Sequence, residues 1–470
     1  MLTHTGMNET QVHIVGSGLA GSEAAYFLAE RGVRVILHEM RPTRLTPAHK
    51  TGACAELVCS NSLKSKSPVS APGMLKTEMR HLGSLILQAA ERSEVPGGEA
   101  LAVDRDLFAG FITDKIKNHP MIKWVEGEVS TPPSTEEPTL IATGPLTSES
   151  LSKWLAQATG EQDLYFYDAI APIIDAQSID RNITFLANRY DKGEELAYIN
   201  CPFNEEQYYA FVDALLTGGK VAPKAFEQEK FFQGCQPIEA IAASGRDSLR
   251  FGPMKPVGLV DPKTGKRPYA VVQLRPENKA LTAYNLVGFQ TKLKYPEQTR
   301  IFRMIPGLEQ AELLRHGSIH RNTYVCGPKV LRSDLSLRGH PKVYLAGQIT
   351  GVEGYLESSA CGLLAAMSIY QRLKGISHRQ PPAHTALGSL LQYITGSDIK
   401  NYQPTNMNFA LFDPRLFEGL ESMKRDDFRD AMSKQAFENL KNWAAADGAI
   451  LTRSTEDSLQ RLEKKFNHTR

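Results

Sequence analysis

A glycine-rich turn set inside a strand–turn–helix–strand frame constrains this chain more than any other feature. Val12-His13-Ile14-Val15 is a short apolar run that reads as a buried strand. It leads directly into Gly16-Ser17-Gly18-Leu19-Ala20-Gly21, then into a helix-forming stretch from Ser22 to Arg31 that Gly32 can end. A second strand, Val33 to Leu37, follows and closes on His38-Glu39. Each glycine has a mechanical reason. Gly16 permits the tight turn, Gly18 lets backbone approach a pyrophosphate, and Gly21 lets the helix pack on the sheet. The helix N-terminus offers free N–H groups and a positive dipole end to phosphates. Glu39, 21 residues after Gly18, is in register for a ribose hydroxyl pair. A glycine turn with no ligand is the bland alternative, and the frame and the acid argue against it.

Two later segments favour FAD over NAD as the tightly held cofactor. Leu140-Ile141-Ala142-Thr143-Gly144 is a strand ending in Thr143-Gly144. Far downstream, Val343-Tyr344-Leu345-Ala346 is another buried strand, followed by Gly347, Gln348, Gly351, Gly354 and Tyr355 and a helical run to about Arg372. Strands returning to one sheet from such distances resemble the glutathione-reductase-like flavoprotein pattern, in which the late turn feeds a helix whose N-terminus faces the flavin. Such a positive helix end suits a reduced, anionic ring.

The intervening stretch is too long for a loop, so the expected architecture is α/β. A Rossmann-type FAD-binding domain (1–150 and 325–470) would carry an inserted α+β domain over 151–324. Strands are expected near Tyr269–Leu274 and Ala283–Val287, with helix near 204–217 and in the charged C-terminal region. Composition adds exclusions. At 470 residues a large core needs no disulfide or structural metal. Lys and Arg (54) nearly balance Asp and Glu (52), so an anionic partner must be met by a local patch. No apolar run is long enough to span a membrane, and the first ten residues lack a signal-peptide pattern. Six cysteines without CxxC spacing point to a reduced, cytoplasmic protein with free thiols and no metal site.

Charge is uneven within the insert. Arg246, Arg250, Lys255, Lys263, Lys266 and Arg267 face only Asp247 and Asp261 in the same stretch. A solvated face and a phosphate-tracking surface for nucleic acid both fit this run. Two cysteines stand out. Cys59 sits where Glu56-Leu57-Val58 opens into Ser60-Asn61-Ser62, and Cys235 sits in Gly234-Cys235-Gln236-Pro237-Ile238-Glu239. The glycine and proline around Cys235 suggest a turn that presents the thiol, with Arg246 and Arg250 close in sequence to favour a thiolate. Inert burial is the commoner fate of a single cysteine.

Longer strings carry a family resemblance. Phe251-Gly252-Pro253-Met254-Lys255-Pro256-Val257-Gly258-Leu259, Pro268 to Arg275, Tyr284 to Thr291 and the Gly-Cys-Gln-Pro-Ile-Glu turn resemble the bacterial folate- and FAD-dependent tRNA (uracil-5-)-methyltransferases, the TrmFO family. The likeness runs from the first glycine loop to Gln403–Phe409. It implies transfer of a one-carbon unit from 5,10-methylenetetrahydrofolate to C5 of the T-loop uridine of tRNA, with NADH or NADPH supplying electrons through FAD. It implies Cys235 as the nucleophile at uracil C6, and Cys59 as the C5 base or a protector of the flavin adduct. Tyr355 would stack on the flavin, or be a core tyrosine. No obligate protein partner is expected. A wobble-uridine carboxymethylaminomethyl flavoenzyme (MnmG-like) is the alternative; that family is longer and carries a different signature where this chain has Arg315 to Arg321. A disulfide oxidoreductase would need a close dithiol, and a non-catalytic flavin scaffold would need neither thiol.

Overall fold

In the computed structural model, described over residues 11–161, 165–191, 197–221, 236–417, 420 and 423–446, the chain opens as the glycine frame requires. β1 (Gln11–Val15), α1 (Leu19–Ala29) and β2 (Arg34–Glu39) form a parallel unit with Val15 opposite His38. An excursion follows through β3 (Ser62–Ser65), α2 (Ala71–His81), α3 (Leu85–Arg92), β4 (Glu94–Val95), β5 (Ala100–Val103) and α4 (Arg105–Lys117). Its three strands make a small antiparallel sheet. The chain then rejoins the main sheet as β6 (Ile122–Glu126) and β7 (Thr139–Ile141), and leaves it along α5 (Glu149–Thr159).

β8 (Tyr165–Ile170) carries the chain into a second unit built of β9 (Ile173–Asp175), β10 (Phe185–Leu186), β11 (Ile199–Phe203), α6 (Glu205–Thr217), α7 (Ile238–Ala243), α8 (Ser248–Phe251), β12 (Ala270–Pro276), β13 (Ala283–Leu286), α9 (Tyr295–Phe302) and β14 (Leu313–Arg315). Its antiparallel sheet has the order β10-β11-β12-β13-β9-β14. β15 (Ser318–Thr323) leaves the unit paired antiparallel with β8, so the way in and the way out are zipped together. The remainder, α10 (Gly327–Val330), β16 (Val343–Leu345), α11 (Tyr355–Leu373), α12 (Ala386–Gly396) and α13 (Arg425–Ala446), returns to the first unit.

The main sheet is wholly parallel in the order β16-β7-β1-β2-β6. Helices cover it, which is why Val12, Ile14, Leu140, Ile141 and Val343–Leu345 read as unbroken apolar runs. α11 lies on α1 closely enough that a side chain at Gly362 would collide with the carbonyl of Ala20. The two units have separate cores, one drawn from residues 12–155 and 325–444, the other from 174–311. This is the expected Rossmann-type α/β domain with an inserted α+β domain. The boundary expected at 151 moves: Leu151 and Leu155 of α5 belong to the first core, so the chain leaves that domain only after α5. The charged C-terminal region supplies α13, whose Met432, Ala436, Leu440 and Trp443 close the first core.

Buried carboxylates seat several helices in this core. Glu78 on α2, 1% exposed, accepts the N–H of Ala386 at 2.7 Å and of Leu387 at 2.8 Å and so caps α12. Burial pushes its carboxyl up to about 8 against the pull of those two hydrogen bonds. A folded value above the unfolded one means the group's stabilising contribution is full below about pH 4.5 and is lost as pH rises through about 8. The stability advantage of wild type over Glu78→Gln in chemical denaturation should therefore shrink steadily from mildly acidic to mildly alkaline pH. A difference independent of pH would contradict this assignment.

Candidate active site

The first half of the site is a groove at the carboxyl end of β1, β2 and β7. Gly16 turns the chain with φ +99°, and a Cβ there would stand 2.8 Å from the carbonyl oxygen of Ala142. A Cβ at Gly21 would collide with the carbonyl of Gly16, so α1 seats directly on the turn. Gly18 differs: its Cβ would meet nothing closer than the Ala142 oxygen at 4.0 Å. Gly18 also heads α1 with no side-chain cap, and no acid lies in the helix's first turn. Leu19 and Ala20 therefore begin a helix whose N–H groups face an open groove lined by Gly16, Gly18, Glu39, Gly127, Ala142 and Thr143.

Glu39 is 5% exposed and densely bonded. One oxygen accepts the backbone N–H of Ser17 at 2.8 Å and its hydroxyl at 2.6 Å; the other accepts the backbone and Nε of Arg41, each at 3.0 Å. Burial alone would raise its pKa, but Arg41 and Ser17 outweigh that and hold the carboxyl at about 2. Glu39 is ionised, and because its two oxygens already accept five hydrogen bonds from Ser17 and Arg41, a ribose hydroxyl would have to share or displace one of them. Arg41, 3% exposed and also 3.3 Å from Glu56, is a partner the sequence reading missed. Its signal is only a basic residue two places after the acid. The uncapped helix, the open space at Gly18 and the ionised Glu39 fit a dinucleotide such as FAD.

The second half of the site lies around the late turn. Gly347, Gly351 and Gly354 all take positive φ, Gln348 donates to Glu353 at 2.7 Å, and Tyr355 begins α11. On the β7 side, Thr143 and Thr147 share a hydrogen bond at 2.6 Å, and Gly144 starts a short turn. The hydroxyl of Tyr355 accepts the backbone N–H of Cys59 at 2.6 Å and of Ser60 at 3.1 Å. Tyr355 is thus the strut between the late turn and the Cys59 loop, and burial pushes its phenol pKa upward so that it stays protonated.

Two arginines hold the same loop from other sides. Arg105, at the start of α4, donates to the carbonyls of Leu57 and of Cys59 (3.2 Å for Cys59) and pairs with Glu277 of the inserted domain at 2.5 Å. Arg315, at the end of β14, donates to the carbonyl of Val58 at 2.6 Å. Burial first, and Arg105 second, push the Arg315 guanidinium down from its ordinary range. No local pattern ties either arginine to this loop, because each reaches it across a long stretch of chain. The same is true of Lys64, which pairs at 2.5 Å with the fully buried Glu357 in the first turn of α11.

Among the described cysteines, Cys54, Cys201, Cys326 and Cys361 are buried, and burial raises the pKa of each thiol. Cys59 is the partly exposed one. Cys235 lies outside the described residues. The residues that follow it pack on a neighbouring string: Ile238 donates its N–H to the carbonyl of Gln290 at 2.7 Å, and the buried Glu239 accepts the hydroxyl of Thr291. Two of the distinctive sequence strings therefore interlock. The basic run divides. Arg246 pairs with Asp213 at 2.8 Å, Arg250 stacks on Tyr269, and Lys255, Lys266 and Arg267 are exposed. Lys263 instead donates to the carbonyls of Arg181, Asn182 and Thr184 at 3.1, 2.6 and 2.8 Å. It braces a loop, which leaves it little capacity for phosphate. No group of three or more metal-ligating side chains occurs among the described residues.

The contrast between two glycines is testable. Gly18→Val should fold with near-wild-type stability yet fail to take up FAD, read as bound flavin absorbance, because its side chain meets open groove rather than protein. Gly21→Val should lose about 1–3 kcal/mol or more of stability through overpacking. Equal destabilisation by both would contradict the assignment of Gly18 to ligand space.

Comparison with known proteins agrees with this geometry. The family described as "Glucose inhibited division protein A" matches residues 11–377. A protein of Geobacter sulfurreducens named methylenetetrahydrofolate--tRNA-(uracil-5-)-methyltransferase TrmFO is 51% identical over 434 residues, covering 92% of this chain and 99% of its own. A Listeria monocytogenes protein of the same name is 54% identical over 404 residues, covering 86% and 92%. Among solved structures, Aquifex aeolicus GidA superimposes with a TM-score of 0.68 at 15% identity, over 98% of this chain and 79% of that one, a likeness of fold. None of the described helices is long and apolar enough to cross a membrane. A frame for a dinucleotide, a late glycine turn joined to a clamped cysteine loop, and near-full-length relatives at half identity converge: the chain belongs to the glucose inhibited division protein A family of flavoproteins, and within it to the TrmFO family.

Proposed function

We propose that this protein transfers the one-carbon unit of 5,10-methylenetetrahydrofolate to C5 of the T-loop uridine of tRNA and reduces it to methyl, with bound FAD and with NADH or NADPH as the source of electrons. The observation that carries the reading is identity of about half, over nearly the whole chain, to relatives named as methylenetetrahydrofolate-dependent tRNA uracil-5-methyltransferases. The site's geometry supports it, because the partly exposed thiol of Cys59 is fixed beside the late glycine turn.

The chemistry accounts for two thiols. Uracil C5 is a poor nucleophile until a thiolate adds at C6. In the proposed sequence the Cys235 sulfur forms a bond to C6, and the C5=C6 electron pair moves into an enolate over C5 and O4. C5 then bonds to the donated methylene carbon. Cys59 takes the C5 proton as base, and the electron pair this frees expels the nitrogen that carried the methylene, leaving an exocyclic methylene at C5 with Cys235 still bonded to C6. A hydride added to that methylene carbon makes it methyl, as the electron pair returns to C5=C6 and expels the Cys235 sulfur. FAD, when bound, supplies that hydride equivalent. Gly16, Ser17, Gly18 and Glu39 would hold its nucleotide half, and Gly347, Gly351, Gly354 and Tyr355 would border the flavin. Arg105, Arg315 and Tyr355 keep Cys59 in place through its loop's backbone, so a proton leaving C5 meets a base at a fixed position. Arg246, Arg250, Lys255, Lys266 and Arg267 are proposed to meet the tRNA, with Lys263 bracing the surface that carries them.

The nucleophile can be separated from a merely structural cysteine. Cys235→Ala should retain FAD and its reduction by NAD(P)H while methyl transfer falls by about a thousandfold or more, since no other group replaces a covalent step. A T-loop RNA containing 5-fluorouridine should trap the C6 adduct, because fluorine does not leave as a proton, and mass spectrometry should place the crosslink on Cys235. A crosslink on Cys59 would reverse the two roles. Absence of any crosslink, with Cys235→Ala active, would contradict the covalent route.

A further inference from the structure

We propose that Phe251, with Arg250 and Tyr269 behind it, forms a stacking site for one unpaired base of the RNA substrate; this rests on the tRNA reading above and names a contact within it. Phe251 is the last residue of α8 and is 77% exposed. A lone exposed apolar side chain is ordinary, so exposure alone carries nothing. What surrounds this ring does. The guanidinium of Arg250 lies 3.9 Å from the centre of the Tyr269 ring and 5.7 Å from that of Phe251. Arg246 lies 5.3 Å from the ring of Tyr209, and the hydroxyls of Tyr209 and Tyr269 are 3.0 Å apart. Two cations are thus layered among three partly or fully exposed rings.

The arrangement is held from below. The fully buried Tyr208 accepts the N–H of Arg250 at 3.3 Å and donates to the carbonyl of Arg246 at 2.8 Å, so one tyrosine fixes the backbone of both arginines. Asp213 and Asp247 steady the guanidinium groups at 2.8 and 3.8 Å. They do not cancel the surplus of positive charge, because Lys255 and Arg267, close in the chain to Phe251 and Tyr269, are exposed.

This chemistry selects its occupant. Every nucleobase has a π-face for an aromatic platform, and its phosphates suit flanking cations, a pairing that recurs where proteins hold unpaired nucleotides. Duplex RNA keeps its base faces stacked inside, so the partner is a loop nucleotide. The Phe251 ring has the Arg250 guanidinium beside it, itself seated on the Tyr269 ring, unlike the contiguous apolar patch that another protein surface would cover. Position agrees as well. α7 begins three residues after Cys235 in the sequence and is only about 9 Å long, with α8 following it, so the platform stands near the proposed nucleophile along the chain.

The test measures binding of a T-arm stem-loop RNA to the FAD-loaded enzyme over a range of salt. Phe251→Ala should weaken binding by about tenfold or more and Phe251→Trp should restore it. Flavin content and the salt dependence should stay as in wild type, because stacking releases no phosphate counterions. In a series of stem-loops with one abasic loop position each, a single RNA should lose no further affinity on Phe251→Ala, and that position is the stacked base. Wild-type affinity in Phe251→Ala, an equal further loss for every abasic RNA, or a change in the protein's mass in solution on substitution would overturn the proposal, the last by revealing a contact between copies of the chain. The outcomes are distinguishable from failure of the function itself. A wild-type enzyme that forms no 5-methyluridine defeats the reading above, whereas an active wild type with an unimpaired Phe251→Ala defeats only the stacking site.

Discussion

The loop of Leu57 to Cys59 is where the two domains and the two glycine turns meet, and Arg105 is the group that holds it. Its guanidinium spans the carbonyls of Leu57 and Cys59 on one side and the carboxylate of Glu277 on the other. Burial opposes the charge on Arg105, and Glu277 more than compensates, raising the guanidinium pKa above its usual value. Removing one partner of such a pair typically costs about 3–5 kcal/mol, because a buried charge is left alone. The neighbouring contacts reinforce the junction. Asp104 accepts the N–H of Lys279 at 3.1 Å, and Asn61 reaches the carbonyl of Pro276 at 2.8 Å and accepts from Arg275 at 3.0 Å. The stretch 275–279 of the inserted domain therefore lies along the elements that present Cys59.

The nucleotide end is organised by a different balance. Glu39 could not stay ionised at 5% exposure without Arg41 and Ser17. Arg41 in turn is tied to Glu56, which heads the segment leading to Cys59. Glu39 and the loop that presents the thiol are thus joined by one guanidinium. The late turn completes the connection through the Tyr355 hydroxyl. The three elements that the chemistry needs together are linked by side chains from outside the glycine motifs themselves.

How far this was legible in the sequence follows from the range of the interactions. The strand–turn–helix–strand frame, Glu39 and the late glycines are local patterns, and in the fold they form the opening parallel unit, the end of β2 and the turn before α11. Strands near 269–274 and 283–287 and the helix near 204–217 also emerge from local periodicity. The grip on Cys59 was hidden, because Arg105, Glu277 and Arg315 lie about 46, 218 and 256 residues away from it in the chain, and no spacing rule connects them. Tyr355 was read for its ring, while its hydroxyl makes the contact that unites the site. Lys263 shows the same limit from the other side. In sequence it was one of six equivalent cations, but its ammonium is enclosed by three carbonyls. Charge counts do not tell a bracing lysine from a binding one.

One site is proposed to carry a carbon from folate to a tRNA uridine. The most direct measurement incubates the FAD-loaded protein with tRNA lacking the modification, NAD(P)H and 5,10-methylenetetrahydrofolate labelled at the methylene carbon, then digests the tRNA to nucleosides. The account predicts label in 5-methyluridine from the T-loop, dependent on both the folate and the reductant. Unlabelled tRNA, or label confined to another nucleoside such as a wobble uridine derivative, would contradict it.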